Sequence, residues 1–233
     1  MNYTEQYNKL KAWLDATRDE KLEAMDAFFD RRIETYEEHM SPWSEHYKWM
    51  ANVLPEDVAR ILDVGVGTGL ELDEIFKRFP TLDVTCVDMS EEMLRVLAEK
   101  HGHRSIHIIR GDYFTHDLGD GYDAIVAFET LHHFTAQRKV ELFRRLHRAL
   151  ADGGVFVECD YIAGTQQIED LLFSECRRRR DRDGIVPDAF VHFDTPLTLE
   201  HEMEALRAAG FSKVELIGFL PGDDGTAMIR AYK

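Results

Sequence analysis

Residues Ile61-Leu62-Asp63-Val64-Gly65-Val66-Gly67-Thr68-Gly69-Leu70 read ILDVGVGTGL, an apolar run that breaks into alternating glycines. An apolar run of this length, cut off by glycine, reads as a buried strand that turns sharply. Glycine also lets a ligand approach the backbone with no Cβ in the way. Turns of this kind commonly cradle phosphate, yet Asp63 stands two residues before the first glycine, near the strand's carboxyl end. A carboxylate there repels a phosphate and attracts a cation. The spacing is GxGxG, whereas the dinucleotide pattern GxGxxG wants a small residue where Leu70 stands. Close backbone approach beside a fixed negative charge suits a ligand that carries a cation and no phosphate.

Outward from this loop, short β-branched runs at Arg60–Val64, Asp83–Val87, Ser105–Ile109, Ala124–Phe128 and Val155–Cys159 alternate with amphipathic stretches. Those stretches, Leu70–Phe79, Glu91–Lys100 and Ala136–Leu150, have helical spacing. Alternation of this kind predicts a parallel sheet covered by helices on both faces. Gly164–Asp183 continues as a helix ending in Arg177-Arg178-Arg179-Arg180, Pro187–Pro196 reads as loop, and Thr198–Ala209 is a helix stopped by Gly210. The last two runs, Lys213–Phe219 and Thr226–Tyr232, are joined by Pro-Gly-Asp-Asp-Gly and predict an antiparallel hairpin. The expected fold is therefore α/β: Rossmann-like, doubly wound and mostly parallel, with an antiparallel C-terminal hairpin.

Residues 1–54 form a separate helical leader. Apolar residues recur there at helical spacing, Ser41-Pro42 is a helix start, and the leader holds Trp13, Trp43 and Trp49. Two uses fit such a segment: packing onto the main domain of residues 55–233, or acting as a lid over a ligand. It also offers a face on which a second copy of the chain could pack as a homodimer. A cap segment is expected at about residues 161–197.

The 233 residues can bury a real core, and a hydrophobic share of 44% with 31% charged residues is ordinary for a globular protein. A net charge of -16 argues against a nucleic-acid partner, because phosphate neutralisation needs a basic surface. Cys86, Cys159 and Cys176 make no CxxC pair, so neither a disulfide framework nor a zinc site is suggested. The polar start lacks the apolar core of a signal peptide, and no apolar run approaches the roughly 20 residues that span a bilayer. A cytoplasmic protein with no membrane partner is the expectation.

Two further acids lie at expected strand ends. Asp88 closes the run Val84-Thr85-Cys86-Val87-Asp88-Met89, at about the interval where nucleoside-binding sheets place an acid on the ribose hydroxyls. Met89 would lie against an adenine face. Asp112, in Gly111-Asp112-Tyr113-Phe114, offers an acceptor for the adenine amino group. S-adenosylmethionine, with its α-amino group and sulfonium, meets all of these requirements.

Together with YDAIVAFETLHHF at 122–134 and LADGGVFVECDYI at 150–162, these stretches resemble the class I S-adenosylmethionine-dependent methyltransferases over about Arg60–Lys233. The resemblance implies a seven-stranded sheet with a reversed final strand. It implies that Asp63, Gly65, Gly67 and Gly69 hold the methionine part, Asp88 the ribose, and Asp112 with the Tyr113 backbone the adenine. Glu129 would stand beside the sulfonium, and Tyr36 or Trp43 would help close the pocket. The product would be S-adenosylhomocysteine and the acceptor a small molecule.

Methyl transfer mostly needs alignment and exclusion of water, and a hydroxyl acceptor also benefits from a base. His133 and His132 follow the strand that carries Glu129 and are the candidate bases; packing and structural hydrogen bonding are the competing use. The tetrad common in amide and exocyclic nitrogen methylation is absent, since Phe128-Glu129-Thr130-Leu131 has no proline, and no Pro-Cys occurs anywhere. Glu129 and Asp160 are only two acids, too few for a hard-cation site, so no metal is expected. The Arg177–Arg180 run reads as solvated compensating charge, with an anion on the acceptor as the other use. The rival functions are a carboxy-S-adenosylmethionine-type synthase on the same fold, a non-catalytic S-adenosylmethionine binder, and a nicotinamide oxidoreductase. The last is disfavoured by GxGxG and Asp63.

Overall fold

The structure is a computed structural model that describes residues 3–186 and 188–233, so Pro187 and the first two residues of the leader lie outside the described residues. The leader comprises α1 (Tyr3–Ala16), β1 (Glu23–Ala24), α2 (Met25–Asp30), α3 (Ile33–Met40), a 3-10 turn (Ser41–Trp43) and α4 (Ser44–Val53). Then follow β2 (Arg60–Val64), α5 (Leu70–Arg78), β3 (Asp83–Asp88), α6 (Glu91–His101), β4 (Ile106–Arg110) and β5 (Tyr122–Phe128). The chain ends with α7 (Ala136–Ala149), β6 (Leu150–Tyr161), α8 (Gln166–Asp183), β7 (Val191–His192), α9 (Leu199–Ala209), β8 (Lys213–Phe219) and β9 (Thr226–Tyr232).

The main sheet has seven strands in the order β4-β3-β2-β5-β6-β9-β8. From β4 to β6 all neighbours run parallel, while β9 lies antiparallel between β6 and β8. The chain steps from β2 to one side and then returns to the other, so the order reverses between β2 and β5. Ligands of open α/β sheets bind outside the strand carboxyl ends at that reversal. Alternate residues of β2 feed the two faces of the sheet. Leu62 and Val64 join a core with Ile125, Phe143, Phe156 and Leu206, and Ile61 joins one with Ile75, Val84, Val126 and Met50. Each such fully buried side chain contributes about 1.5–3 kcal/mol of transfer free energy.

The helices start where the sequence provides a cap. Ser90, Thr135, Thr165 and Thr198 each accept from the backbone N–H three residues on, opening α6, α7, α8 and α9. The expected start at Ser41-Pro42 is corrected: these residues form the 3-10 turn and the α-helix begins at Ser44, with no side-chain cap. The segment after Pro187 is also not plain loop. Its Val191–His192 pairs antiparallel with Glu23–Ala24, a two-stranded ribbon that joins cap to leader.

The arginine run is another correction. Arg178 donates to Arg18 O and Glu175, the buried Arg179 donates to Glu175 and Thr17, and Arg180 donates to Val186 O and Ala189 O. Three of the four therefore knit α8 to the leader and to the following loop rather than standing solvated, whereas Arg177 is exposed. Fixed carbonyls at these positions suit the planar guanidinium fork.

Candidate functional site

The glycine loop leaves β2 and enters α5 through a chain of left-handed residues: Gly65 at φ +71°, Gly67 at +52° and Gly69 at +74°. A Cβ at Gly65 would run into the Thr130 side chain, and one at Gly67 would come within 3.2 Å of the Tyr36 hydroxyl. The loop therefore needs glycine for both conformation and space. Asp88 braces it from the next strand, its Oδ2 accepting from Gly67 N at 2.9 Å and its Oδ1 from Ser90 N at 2.9 Å.

A cavity of about 50 Å³ lies on this loop, lined by Gly65, Gly67, Asp88, Met89, Tyr113, Glu129 and Tyr36 among the expected residues. His133, Thr130, Met93, Phe190 and the leader's Met25 and Phe29 also line it. Gly69, Asp63 and Asp112 do not. Gly69 turns the chain into α5. The Asp112 carboxylate caps its own turn, accepting from Phe114 N at 2.7 Å and from the Thr115 hydroxyl at 3.3 Å. The adjoining Tyr113 packs with Phe114, Phe134 and Phe190 as an aromatic wall.

Asp63 is wholly buried behind the loop, and neither of its oxygens has a hydrogen-bond donor. Its neighbour is Glu71 in the first turn of α5, which the sequence reading missed. Burial and the facing Glu71 push the Asp63 carboxyl well above the usual carboxylate range. Burial raises Glu71 to about 7, so the two acids share a proton in slightly acidic solution. The signal was present: Glu71 precedes Leu72, Ile75 and Phe76 on the face of α5 that is buried. Asp88 is raised as well, by burial, against the backbone N–H groups that lower it. No lysine or arginine lines the cavity among the described residues.

Glu129 ends β5 as the one non-glycine residue with positive φ, +45°, among the described residues. Such a backbone costs of order 1–3 kcal/mol and marks a site where the surroundings fix the geometry. Burial, with Asp160 nearby, lifts its carboxyl to about 8. Beyond Glu129 opens a second cavity of about 620 Å³, lined by Phe28, Phe29, Arg32, Trp43, Tyr161 and His192, among others. Phe29, Tyr36, Glu129 and His133 line both cavities.

The two histidines meet there. His132 Nδ1 lies 2.6 Å from Asp160 Oδ1, and its Nε2 lies 3.5 Å from Asp194 Oδ1. Burial opposes a charge on His132, but Asp160 and then Asp194 outweigh it and raise its pKa well above the ordinary value. His133 is the opposite case: burial and the neighbouring His132 push it down to about 3, so it stays neutral. Its Nδ1 lies 3.3 Å from Phe193 O and 3.5 Å from Asp194 Oδ1. Asp194, which with His192 and Phe193 reads from the sequence as a loop residue at the pocket mouth, is thus central to the cluster.

A family model described as a methyltransferase domain matches residues 62–156. The chain is 24% identical to a carboxy-S-adenosyl-L-methionine synthase of Nautilia profundicola, over 85% of this chain and 87% of that protein. It is 30% identical to a malonyl-[acyl-carrier protein] O-methyltransferase of Geobacter sulfurreducens, over 68% of this chain but only 57% of that protein. Among solved structures, human N-acetylserotonin methyltransferase in complex with SAM superposes with a TM-score of 0.67 at 17% identity. That likeness covers 94% of this chain and 64% of the human one, and speaks for the fold. With its strand order and its glycine loop at the sheet's switch point, the chain has the fold of the class I S-adenosylmethionine-dependent methyltransferases, and its residues 62–156 match a methyltransferase domain.

Proposed function

We propose that the protein transfers a methyl group from S-adenosylmethionine to a small-molecule acceptor held in the 620 Å³ cavity. The observation that carries this reading is the buried Asp63 carboxylate without a donor, behind a glycine cradle that a Cβ would block. A cationic, phosphate-free nucleoside satisfies both features. In this reading Asp63 and Glu71 face the ammonium group, and Gly65 and Gly67 allow the methionine part to approach. Asp88 accepts from the ribose, and Met89 with the Tyr113 wall flanks the adenine. When bound, the cofactor supplies an activated methyl group on a sulfonium. Glu129 stands at the opening between the cavities. The cluster of His132, His133 and Asp194 would orient the acceptor, because His132 keeps its proton and His133, with its pKa at about 3, is a poor base.

Nucleoside-sized ligands occupy several hundred Å³. The loop cavity holds about 50 Å³ because Met25, Phe29 and Tyr36 of the leader close over it. Cofactor entry in this reading therefore displaces α2 and α3, which makes the leader a lid.

The carboxy-S-adenosylmethionine synthase relative supports a second reading. A new carboxylate beside the sulfonium calls for a cation, and no lysine or arginine lines the loop cavity among the described residues. Arg32, at the larger cavity, is occupied: it stacks over Phe28 at 3.7 Å and donates to Phe28 O at 3.0 Å and to Glu23. Mass analysis of the ligand that copurifies decides between the readings. S-adenosylmethionine or S-adenosylhomocysteine is expected; a ligand heavier by a carboxylate overturns methyl transfer.

Glu71 gives the reading a pH signature. Below about pH 7 it keeps its proton, and above it becomes an anion that favours a cationic ligand. S-adenosylmethionine affinity should therefore rise as pH climbs from 6 to 8, and Glu71→Gln should flatten that profile in calorimetry. The stability sign is opposite. The folded state holds a proton that the unfolded chain has lost, so ligand-free stability falls as pH rises from 4.5 to about 7. Glu71→Gln should accordingly raise the thermal midpoint of the ligand-free protein at pH 8 while weakening cofactor binding. A wild-type affinity that is flat with pH would remove Glu71 from the site.

A further inference from the structure

We propose that His132, His133 and Asp194 bind a divalent first-row transition-metal ion where the two cavities meet. One donor atom from each residue lies within 4.8 Å of the others. His132 Nε2 and His133 Nδ1 each stand 3.5 Å from Asp194 Oδ1, long for a hydrogen bond. Two ligands around a tetrahedral ion with bonds of about 2.05 Å are separated by about 3.3 Å, close to that spacing.

The surroundings match what a metal-bound imidazole requires. The second ring nitrogen of His132 is held by Asp160 at 2.6 Å. Asp160 is itself fixed by the backbone N–H groups of Leu131 at 2.9 Å and Tyr161 at 2.8 Å. A carboxylate behind the ring fixes the tautomer and aims the other nitrogen at the ion. Glu129, His132 and Asp160 form a second grouping at similar separations. That grouping is the weaker one, because Asp160 already accepts from two amides and faces His132 Nδ1. On the open side, Tyr161 and Glu129 line the 620 Å³ cavity, where an acceptor oxygen or water can complete the coordination. Two imidazoles with one carboxylate select zinc, cobalt, iron or manganese over magnesium and calcium. The sequence reading set metal aside because it counted two acids; the fold brings Asp194 from 62 positions beyond His132 to face both histidines.

The ion's catalytic role, drawing an acceptor oxygen and easing loss of its proton, rests on the methyltransferase reading; its binding does not. The test uses the full untagged chain after dialysis against a chelator, titrated with Co²⁺ by absorption and with Zn²⁺ by competition, without cofactor. One equivalent of either ion should bind. Asp194→Asn and His132→Gln should each weaken binding at least about tenfold, and Asp160→Asn about 10–100-fold with unchanged stoichiometry. Absence of saturable binding by the wild type overturns the proposal and leaves His132 an imidazolium bridging Asp160 and Asp194. Binding undiminished in Asp194→Asn overturns it too. Asp194 is half-exposed, so this variant decides even where His132→Gln fails to fold. S-adenosylmethionine binding is measured in parallel. Its loss with metal binding intact sinks the cofactor reading alone, and the reverse sinks only the metal site.

Discussion

Asp63→Ala should weaken S-adenosylmethionine binding about a hundredfold or more in calorimetry, while the circular dichroism spectrum and thermal midpoint hold. The two halves of this expectation have one cause. Asp63 is fully buried and no N–H group donates to its oxygens, so in the ligand-free fold it makes no ion pair. Burial, then Glu71 and Asp88, disfavour its ionised form, and the proton it shares with Glu71 is what holds the two acids together. Removing Asp63 relieves that crowding of acids, while a bound cation favours its ionised form. A unit positive charge about 6 Å away, at an effective dielectric constant of 20, gains about 2.8 kcal/mol from the carboxylate, a factor of about a hundred. Asp63→Asn, which keeps the shape and loses the charge, should behave like alanine. An affinity within threefold of wild type would mean that the loop's acid serves the fold and not the ligand.

The largest stability effect is expected far from any ligand, at Lys139. This lysine of α7 is fully buried, 2.5 Å from Glu202 of α9 and 3.8 Å from Glu158 of β6. Burial opposes its charge, but Glu202 and Glu158 outweigh that and raise its pKa. Lys139→Met strips the cation from two buried carboxylates. Breaking a buried pair in this way costs about 3–5 kcal/mol. Chemical denaturation should show that loss as a lower midpoint with little change in slope. Replacing the whole group with apolar residues of similar volume, as Lys139→Met with Glu202→Leu and Glu158→Leu, should recover most of it. If the triple variant is no better than the single one, the charges specify the packing of α7 on α9 rather than merely compensating each other.

Much of the architecture was legible because strand and helix periods differ and their junctions carry their own chemistry. The runs at Arg60–Val64, Lys213–Phe219 and Thr226–Tyr232 coincide with β2, β8 and β9 residue for residue. Burial on both faces, or a turn of Pro-Gly-Asp-Asp-Gly, leaves little freedom there. Residues of β1 and β7 were not legible. Glu23–Ala24 and Val191–His192 are two-residue strands whose pairing joins distant segments, and no local period announces such a contact. The site divides in the same way. Gly65, Gly67, Asp88 and Glu129 stand at strand ends, which a sequence marks by a change of composition. Glu71 and Asp194 matter through what the fold sets opposite them, across a helix turn and across a cap loop. Asp112 shows the converse: an acid at a strand end whose oxygens are taken by its own turn.

The ribbon of β1 and β7 has a mechanical consequence. Met25 and Phe29, which cover the loop cavity, directly follow β1, and Asp194 stands two residues beyond β7. Phe28 stacks on His192 at 3.4 Å, a second link across the same seam. In the methyl-transfer reading, where the leader swings outward to admit the cofactor, that motion must either pull on the segment that carries Asp194 or break the ribbon's pairing. The seam would then tie entry into one chamber to the shape of the other.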